Sequence, residues 1–464
     1  MKNIFFISFS LISMISLGQI KLTSFQVELK RGVENHQMIN FVDDKTNEIY
    51  TFIADKETVT GIKFNSAVLV SDTLSASKPF NYQNIIGYSF SKNNNPILHW
   101  ITEDNKKIKS IEYNFSSDPK NYSATEITIA DESIITSFTH KGIFYLLTDN
   151  EKKNFKLYEF GVENSSTILQ LGTFDFSNSK NEKIKISQVF NENPLVRMES
   201  DFYNPLMVTA GKVKLYLEND KVIFTFDLNT SKTEVLEIDL DSKLISKKEY
   251  PQSKMNSDTN QSNSFYLDGT LFQVQSNEKQ LDLSIVDCDS NAIIKHYSLS
   301  EKNNSFTYSS FLIQSEQYKP ETIGKQKRFL RKIDNSNLAF SIYPFGGTYL
   351  ASFGSNKSSA GDGGIALGIG VGLGTLLAGG EFVYIGDVSG ERTQSVYLDF
   401  NCDANFDIIP AQNPVLATSI ISGFLADKNN IQLYQTFRYR DYFVLSYYDK
   451  KIKEIVLYKF QNDF

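Results

Sequence analysis

The sequence predicts an all-β protein, on the strength of a repeated hairpin pattern, a regular repeat spacing and a composition rich in β-favouring residues. The pattern is clearest at 142–160, where two apolar runs, Ile143 to Leu147 and Phe155 to Phe160, flank a polar turn. Apolar runs on both sides of a short polar turn are typical of a half-buried antiparallel hairpin. The 464 residues include 36 Phe and 24 Tyr but only 10 Pro, and aromatic residues favour strands.

The same hairpin pattern recurs along the chain at a nearly constant interval. It is present at 49–64, 97–115, 222–240, 271–286 and 442–460. The turn residues Asp55, Asp104 and Asp149 are 49 and 45 residues apart, and Asn229 and Asn277 are 48 apart. Periods of this size are typical of four-stranded propeller blades. The repeat therefore resembles β-propellers in general, and a divergent unit at 340–400 brings the predicted number to about seven four-stranded blades.

No particular propeller family is matched by this repeat. The Trp-Asp signature of one family is absent because Trp100 is the only Trp, and Gly346-Gly347 is a single pair where the kelch pattern would repeat it in every blade. The resemblance therefore implies a fold and carries no active site with it.

The first predicted strand, at 21–30, has no hairpin partner next to it in the sequence. The chain also ends within a repeat, at a strand covering Ile452 to Phe460. Pairing the N-terminal strand with this last one would remove two free sheet edges. We therefore expect the ring to be closed by the N-terminal strand, with Phe25, Val27 and Leu29 alongside Ile455 to Tyr458.

The predicted domain organisation is a signal peptide at 1–18 followed by a single β-propeller domain at 19–464. Insertions are expected near 178–204, 301–335 and 355–380, where the spacing between hairpins exceeds one blade. The last of these contains a Gly-rich stretch at 361–380 in which Gly recurs at every second residue and no Lys follows. A phosphate-binding loop is therefore poorly supported, and an inserted surface loop is favoured over one that contacts a partner or a membrane.

The N-terminus predicts export from the cytoplasm. Lys2 precedes an apolar run of 14 residues, Ile4 to Leu17, and small residues follow at the expected cleavage site before Gln19. The run is too short to span a bilayer, so the mature chain is expected to have no transmembrane segment and to reside in the periplasm, on the cell surface or outside the cell. A mature N-terminal Gln and a composition rich in Lys and Asn look like secreted proteins of the Bacteroidota.

Charge and cysteine content exclude some functions. With a net charge of -7 the protein has no overall field to attract phosphate backbones, so nucleic acid is not an expected partner. The only two cysteines, Cys288 and Cys402, follow equivalent hairpin strands on different repeats, and equivalent positions on neighbouring blades are normally too far apart for a disulfide. Two free, half-buried thiols are expected.

Lysines recur in the hairpin turns that would form one end of the propeller. The candidate ligand-facing residues are Lys56, Lys107, Lys153, Lys232, Lys279 and Lys451. Such turns are polar in any protein, but a ring of lysines would also favour an anionic glycan or an acidic protein surface.

Evidence for catalysis or for a cofactor is weak. The segment Asp399 to Asp407 has oxygen-bearing residues at alternate positions, but Ala404 and Pro410 stand where a calcium loop needs Gly and Glu. The sequence therefore predicts no cofactor, with a calcium ion at this segment as the alternative. The four histidines form no recognised metal or catalytic motif. The sequence favours a non-catalytic binding or scaffold protein that engages a protein or a glycan, with a hydrolase or lyase acting on polysaccharide as the alternative; ligand identity and oligomeric state stay open.

Overall fold

The computed structural model describes residues 19–30, 32–116, 124–129, 131–150, 155–160, 166–172, 174–178, 180–255, 258–315, 319–358, 393–410 and 414–462. Regular structure in these residues is almost entirely antiparallel β-sheet, as the sequence predicts. None of the described helices is both long enough and apolar enough to cross a membrane. The predicted signal peptide and the Gly-rich stretch lie outside the described residues.

Strand β1 (Ile20–Gln26) and a short 3-10 helix (Val33–Asn35) precede three four-stranded sheets, each with its strands in sequence order. Sheet I consists of β2 (Gln37–Asp43), β3 (Glu48–Ala54), β4 (Thr58–Phe64) and β5 (Val70–Ser77). Sheet II consists of β6 (Tyr82–Phe90), β7 (Pro96–Thr102), β8 (Lys107–Glu112) and β9 (Ala124–Thr128). Sheet III consists of β10 (Glu132–His140), β11 (Ile143–Asn150), β12 (Phe155–Phe160) and β13 (Ser166–Gly172).

The predicted insertion at 178–204 falls within a region that contains a small hairpin and two short helices. It contains β14 (Asp175–Ser177), β15 (Lys183–Lys185), α1 (Ile186–Glu192), β16 (Leu195–Arg197) and α2 (Leu206–Thr209). Sheet IV follows with β17 (Val213–Glu218), β18 (Lys221–Asn229), β19 (Lys232–Asp239) and β20 (Ile245–Pro251), and β16 joins its edge in parallel with β17. Sheet V has β21 (Gln261–Leu267), β22 (Thr270–Asn277), β23 (Gln280–Asp287), β24 (Ile293–Ser300) and the short β25 (Asn303–Asn304).

Sheet VI departs from the sequence order of the others. The chain passes through β26 (Leu312–Ser315), β27 (Glu321–Thr322) and α3 (Gln326–Asp334), and then through β28 (Asn337–Phe345), β29 (Thr348–Ser358), β30 (Thr393–Cys402) and β31 (Ile408–Ile409). Strand β26 pairs with β30, so the predicted insertion at 301–335 supplies the fourth strand of this sheet. The predicted insertion near 355–380 begins later than its bounds suggest, because residues 355–358 pair in β29 with β30.

Sheet VII joins the two ends of the described chain. After α4 (Ala417–Ala426) come β32 (Ile431–Tyr439), β33 (Tyr442–Asp449) and β34 (Glu454–Phe460), and β1 pairs antiparallel with β34. Phe25 lies opposite Ile455, and the Val27 N–H donates to the Lys453 carbonyl at 2.9 Å. The predicted pairing of the N-terminal strand with the last strand is thus confirmed, but its predicted register is wrong beyond Phe25. Strand β1 ends at Gln26, before Val27 and Leu29, and the partners of Val456 to Tyr458 lie between Lys21 and Ser24.

Two kinds of turn connect successive strands within the sheets. Between the first and second strands of sheets III and V, Lys141-Gly142 and Asp268-Gly269 have positive φ at both residues, the geometry that suits the twist of a two-residue hairpin. Between the second and third strands, an Asp or Asn side chain accepts the N–H groups of the turn. The Asp55 carboxylate accepts from Glu57 and Thr58 at 2.8 Å, and Asp449 does the same for Lys451 at 2.9 Å. The recurring Asp and Asn residues are therefore turn formers.

The core lies between sheets. Phe52, Trp100, Leu146, Phe226 and Val444 are all buried, with exposures of 0 to 1%, and the strands that carry them are buried on both faces. Gly87 shows how close the packing is, since a Cβ there would lie 2.2 Å from the ring of Phe144 on the neighbouring sheet. Single apolar clusters bridge sheets I and II, II and III, and III and IV.

Polar and apolar contacts join the remaining neighbours. The Ser264 N–H and hydroxyl of sheet V donate to Asp227 of sheet IV at 2.9 and 2.8 Å, and one cluster extends through sheets IV, V and VI. Gln435 of sheet VII accepts from the Asn40 N–H of sheet I at 2.7 Å. Sheets VI and VII are linked through the segment after β16, where the Tyr203 hydroxyl donates to Ser352 of sheet VI at 2.7 Å and the adjacent Phe202 ring packs on Phe443 of sheet VII. Sheets I to VI thus pack each on the next, and sheet VII packs on sheet I.

Candidate functional site

A cavity of about 910 Å³ opens where the first strands of five sheets turn into their second strands. Its walls come from sheets I, II, III, IV and VII and from residues 197–201, which are the last residue of β16 and the segment that follows it. The side chains that give it chemical character are Asp43, Asp44, Lys45, Tyr88, Lys92, Asn94, His140, Lys141, Arg197, Glu199, Asp201 and Arg438. Both signs of charge are represented, beside amide and aromatic groups.

The segment at 197–201 is held against the sheets at both ends. The Met198 N–H donates to the Leu215 carbonyl at 2.7 Å, and the Phe202 ring packs on Phe443 with centroids 4.9 Å apart. The Asn204 side chain accepts from the Glu199 N–H at 3.0 Å and donates back to the Glu199 carbonyl at 2.8 Å. These bonds fix a loop that carries three charged side chains into the cavity.

Two arginines of the cavity are paired with carboxylates of the same segment. Arg197 Nε lies 3.2 Å from Glu199, and Arg438 of sheet VII lies 3.7 Å from Asp201. The second pair spans two elements that are far apart in sequence. At these separations each arginine neutralises the charge of its carboxylate partner. The guanidinium N–H donors and carboxylate oxygens that are not used in the pair can still form hydrogen bonds with a ligand.

Asp43 and Asp44 are adjacent in sequence but have different roles. Asp43 is buried and accepts from the Lys45 N–H at 3.0 Å, the Thr46 hydroxyl at 2.7 Å and the Asn94 amide of sheet II. It is therefore occupied in shaping the turn. Asp44 lies at the cavity wall and keeps access to solvent. Desolvation by the surrounding protein and the negative charges of Asp43 and Asp201 raise its pKa, while His140 lowers it.

The turn of sheet III contributes a basic pair. His140 Nε2 lies 3.2 Å from Asp220 of sheet IV, and Lys141 Nζ donates to the same carboxylate at 2.7 Å. The hydrogen bonds from Lys141 and His140 hold the pKa of Asp220 below its usual value. This contact fastens the turns of two sheets at the cavity rim.

Aromatic rings form the apolar part of the wall. Phe41 stacks on Tyr88 with centroids 3.9 Å apart and planes 8° apart, and Phe90 meets Phe41 edge-on at 5.7 Å. Phe41 and Phe90 are buried, and Tyr88 is half-buried. The wall therefore combines an aromatic surface with carboxylate, amide and guanidinium groups, a combination suited to a ligand that has both hydroxyl groups and apolar ring faces.

The lysines proposed from the sequence lie at the other end of the sheets, because the turn after a second strand is opposite to the turn after a first strand. Lys56, Lys279 and Lys451 are exposed there. Lys107 is 3.5 Å from Glu126, and Lys232 is 2.7 Å from Glu249, so these two charges are already compensated. Lys153 lies outside the described residues. A role for these lysines in ligand binding stays a prediction.

The other candidate sites are accounted for by local structure. Asp403 accepts the N–H groups of Asn405 and Asp407 at 2.9 Å, Asp407 pairs with Lys295 at 2.5 Å, and Asp399 accepts from Ser352 at 2.5 Å. These oxygens serve different partners, and no group of metal-ligating side chains occurs in the described part of the chain.

Both cysteines are free and buried, more so than the expected half-buried thiols. Burial raises the pKa of Cys288 to about 11 and that of Cys402 to about 12. His99 is also a core residue: its ring nitrogens contact Ser89 at 2.9 Å and Ser110 at 2.8 Å, and burial lowers its pKa to about 3.

Sequence reasoning did not identify the cavity residues. Their signal was present but diffuse: Asp43-Asp44-Lys45 and Ser91 to Asn94 follow first strands, and Arg197, Glu199 and Asp201 alternate within an insertion. Only the folded arrangement of five sheets brings them together.

Comparison with known proteins gives no family. No protein-family model and no curated protein matches the sequence. Solved structures with partial likeness include an apocarotenoid oxygenase of Synechocystis (9% identity, TM-score 0.28, 58% of this chain and 62% of that one), so that the chain spans about six tenths of its length. They also include a prolyl endopeptidase (9%, 0.32, 69% and 41%) and the WD40 domain of SCAP from fission yeast (8%, 0.30, 95% and 91%). These scores are too low to support an argument about function, and the resemblance to Bacteroidota proteins stays a prediction.

Proposed function

We propose that the seven sheets are the blades of a single β-propeller whose ring is closed by the N-terminal strand. Seven sheets with four principal antiparallel strands support this proposal, as does the packing of each sheet on the next from sheet I to sheet VI. The pairing of β1 with β34 and the contact of sheet VII with sheet I supply the closing step. The cavity then lies at the mouth of the central channel, on the face formed by the first turns.

We further propose that the protein is an exported, non-catalytic binding module that takes a glycan in this cavity. The observation that carries the proposal is the wall itself, about 910 Å³ of space bounded by Asp44, Asp201, Arg438 and Asn94 beside the Tyr88 ring. Cavities of roughly 300 to 1,000 Å³ are typical of small-ligand sites. Carboxylate, amide and guanidinium groups can bind the hydroxyl groups of a sugar, and an aromatic ring can pack on its apolar face.

The test is a glycan array followed by calorimetric titration of the best ligand. We expect Asp201→Ala and Arg438→Ala to weaken binding at least tenfold, because each removes hydrogen-bonding groups from the wall. Lys56→Ala and Lys451→Ala, at the opposite end of the sheets, are the matched controls and should leave the affinity unchanged. Loss of binding in the lysine variants alone would move the site to the face predicted from the sequence. Failure of all glycans, with specific capture of one exported protein, would favour a protein partner.

The second candidate is a hydrolase or lyase acting on polysaccharide, and it rests on Asp44. A carboxyl group with a raised pKa beside other carboxylates is what a general acid requires, and Asp44 has Asp43 and Asp201 as neighbours. The bound glycan should be incubated with the protein while new reducing ends are measured. Cleavage that is abolished by Asp44→Asn would favour the enzyme, whereas binding without cleavage would favour the binding module.

A further inference from the structure

A second cavity, separate from the first, lies along helix α3. It has a volume of about 400 Å³, and its wall is formed by α3, the residues just after it and the ends of β29 and β30. The apolar side of the helix fixes its position: Phe329, Leu330 and Ile333 are buried, and the Phe329 ring stacks on Phe311 at 4.4 Å. Residues on the opposite side of the helix line the cavity.

This side is uniformly cationic. The cavity is lined by Lys325, Lys327, Arg328, Arg331, Lys332 and Lys357. Its remaining lining residues, Asn335, Ser336 and Gln394, are neutral. None of the six cations takes part in an ion pair within the described residues, although lysines elsewhere are commonly paired, as Lys107 and Lys232 are.

The cations repel one another along the helix, although Arg331 and Lys332 lie in its last turn, where positive charge is favourable. Lys327 and Arg331 are four residues apart, as are Arg328 and Lys332, and like charges at this spacing repel across one helical turn. The helix also has no acidic residue in its first turn and no side-chain cap. An anion in the cavity would relieve the repulsion and would interact favourably with the positive end of the helix. In a protein with a net charge of -7, the cluster is a local exception to the overall charge.

We propose that this cavity binds an oligoanion that carries phosphate or sulfate groups. Arg328 and Arg331 supply planar guanidinium groups that pair bidentately with tetrahedral oxyanions, and the lysines add point charges around them. A concave wall suits a discrete oligomer better than the flat surface of an anionic membrane. The site is independent of the cavity assigned to the glycan, because the two share no lining residue.

Two probes distinguish the source of the oxyanion: a sulfated heparin-type tetrasaccharide and inorganic tripolyphosphate. Each is titrated calorimetrically into the full-length protein at low and high salt. We expect saturable binding of one molecule by at least one probe, with weaker affinity at high salt because screening reduces the attraction. The probe that binds more tightly identifies the sulfate or the phosphate source.

The test variant carries Arg328→Gln together with Arg331→Gln. The control variant carries Lys450→Gln together with Lys451→Gln on an exposed turn, and it removes the same number of positive charges. The arginine pair should lose at least tenfold in affinity, while the lysine pair should stay within about twofold of the parent. Thermal melting checks that both variants fold, which their exposed side chains predict. Equal losses in the two variants, binding only to anionic vesicles, or no binding of either probe would overturn the proposal.

Discussion

Leu146 packs between sheets II and III. Its side chain is fully buried in a cluster that joins Ile86, Ile101 and Ile108 of sheet II to Phe144 and Tyr158 of sheet III. Leu146→Ala should lower the free energy of unfolding by about 2 to 5 kcal/mol, through lost burial and the cavity left behind. Denaturant unfolding measures the change. Leu244→Ala, at a residue 70% exposed, is the control, and an equal loss there would contradict the assigned packing.

Asp399 is expected to make stability depend on pH. Burial raises its pKa to about 6 despite the hydrogen bond from Ser352. The folded state therefore holds a proton more tightly than the unfolded state, where a pKa near 3.9 applies. Stability from this group is intact below about pH 4 and is lost as the pH rises to about 6.

Asp399→Asn removes this loss, since an amide stays neutral and its oxygen can still accept from Ser352. At pH 7.5 the variant should be more stable than the parent by up to about 3 kcal/mol, at roughly 1.4 kcal/mol per pKa unit. At pH 4 the difference should disappear, which serves as the internal control. Unfolding curves at both values decide the matter, and a difference that does not change with pH would refute the titration.

At the scale of single residues, the sequence predicted burial well and function poorly. Phe52 and Val444 were predictable as buried because they lie in apolar runs, and the strands that carry them are buried on both faces. Asp55 was placed in a turn, but the role of the Asp55 and Asp449 carboxylates as acceptors for the N–H groups of their turns was not recognised. Asp44, Asp201 and Arg438 could not be predicted as neighbours, because they come from three elements whose proximity depends on the whole fold.

At the scale of single elements, β1 is expected to protect the protein from aggregation. It covers the edge of β34 and contacts sheet VII further through the Tyr448 hydroxyl, which donates to the Val27 carbonyl at 3.2 Å. A chain beginning at Asn35 should expose that edge and aggregate. A chain beginning at Lys21 should behave as the parent, because among the described residues it lacks only Gln19 and the exposed Ile20. Light scattering during mild heating compares the two, and equal solubility would contradict the role assigned to β1.

Sheet VI is the element that the sequence described least well. Its unit was recognised as divergent at 340–400, but its fourth strand, β26, precedes the other three and was assigned to an insertion. Four residues such as Leu312 to Ser315 are too few to show periodicity. Their partner Tyr397 lies more than eighty residues away, so nothing local indicates the pairing.

At the scale of the whole molecule, the pairing of β1 with β34 was predictable, because a strand without a neighbouring hairpin partner matched an incomplete repeat. The repeat period indicated a series of antiparallel sheets. The location of the cavity was not predictable in the same way. It depends on the segment at 197–201, which sequence reasoning treated only as an insertion and which the fold places against five sheets.

A designed disulfide tests closure of the ring most directly. Ser24 and Val456 lie opposite each other in β1 and β34, where Cα atoms are about 4.5 to 5.5 Å apart, within the ~7 Å limit for a bridge. Ser24→Cys with Val456→Cys should form one intramolecular disulfide on mild oxidation, detected by mass spectrometry as a single cross-linked peptide pair. Ser24→Cys with Lys459→Cys, three residues further along β34 and so about 10 Å away, should stay reduced. Absence of the first bridge, or its appearance only between molecules, would contradict the closed ring.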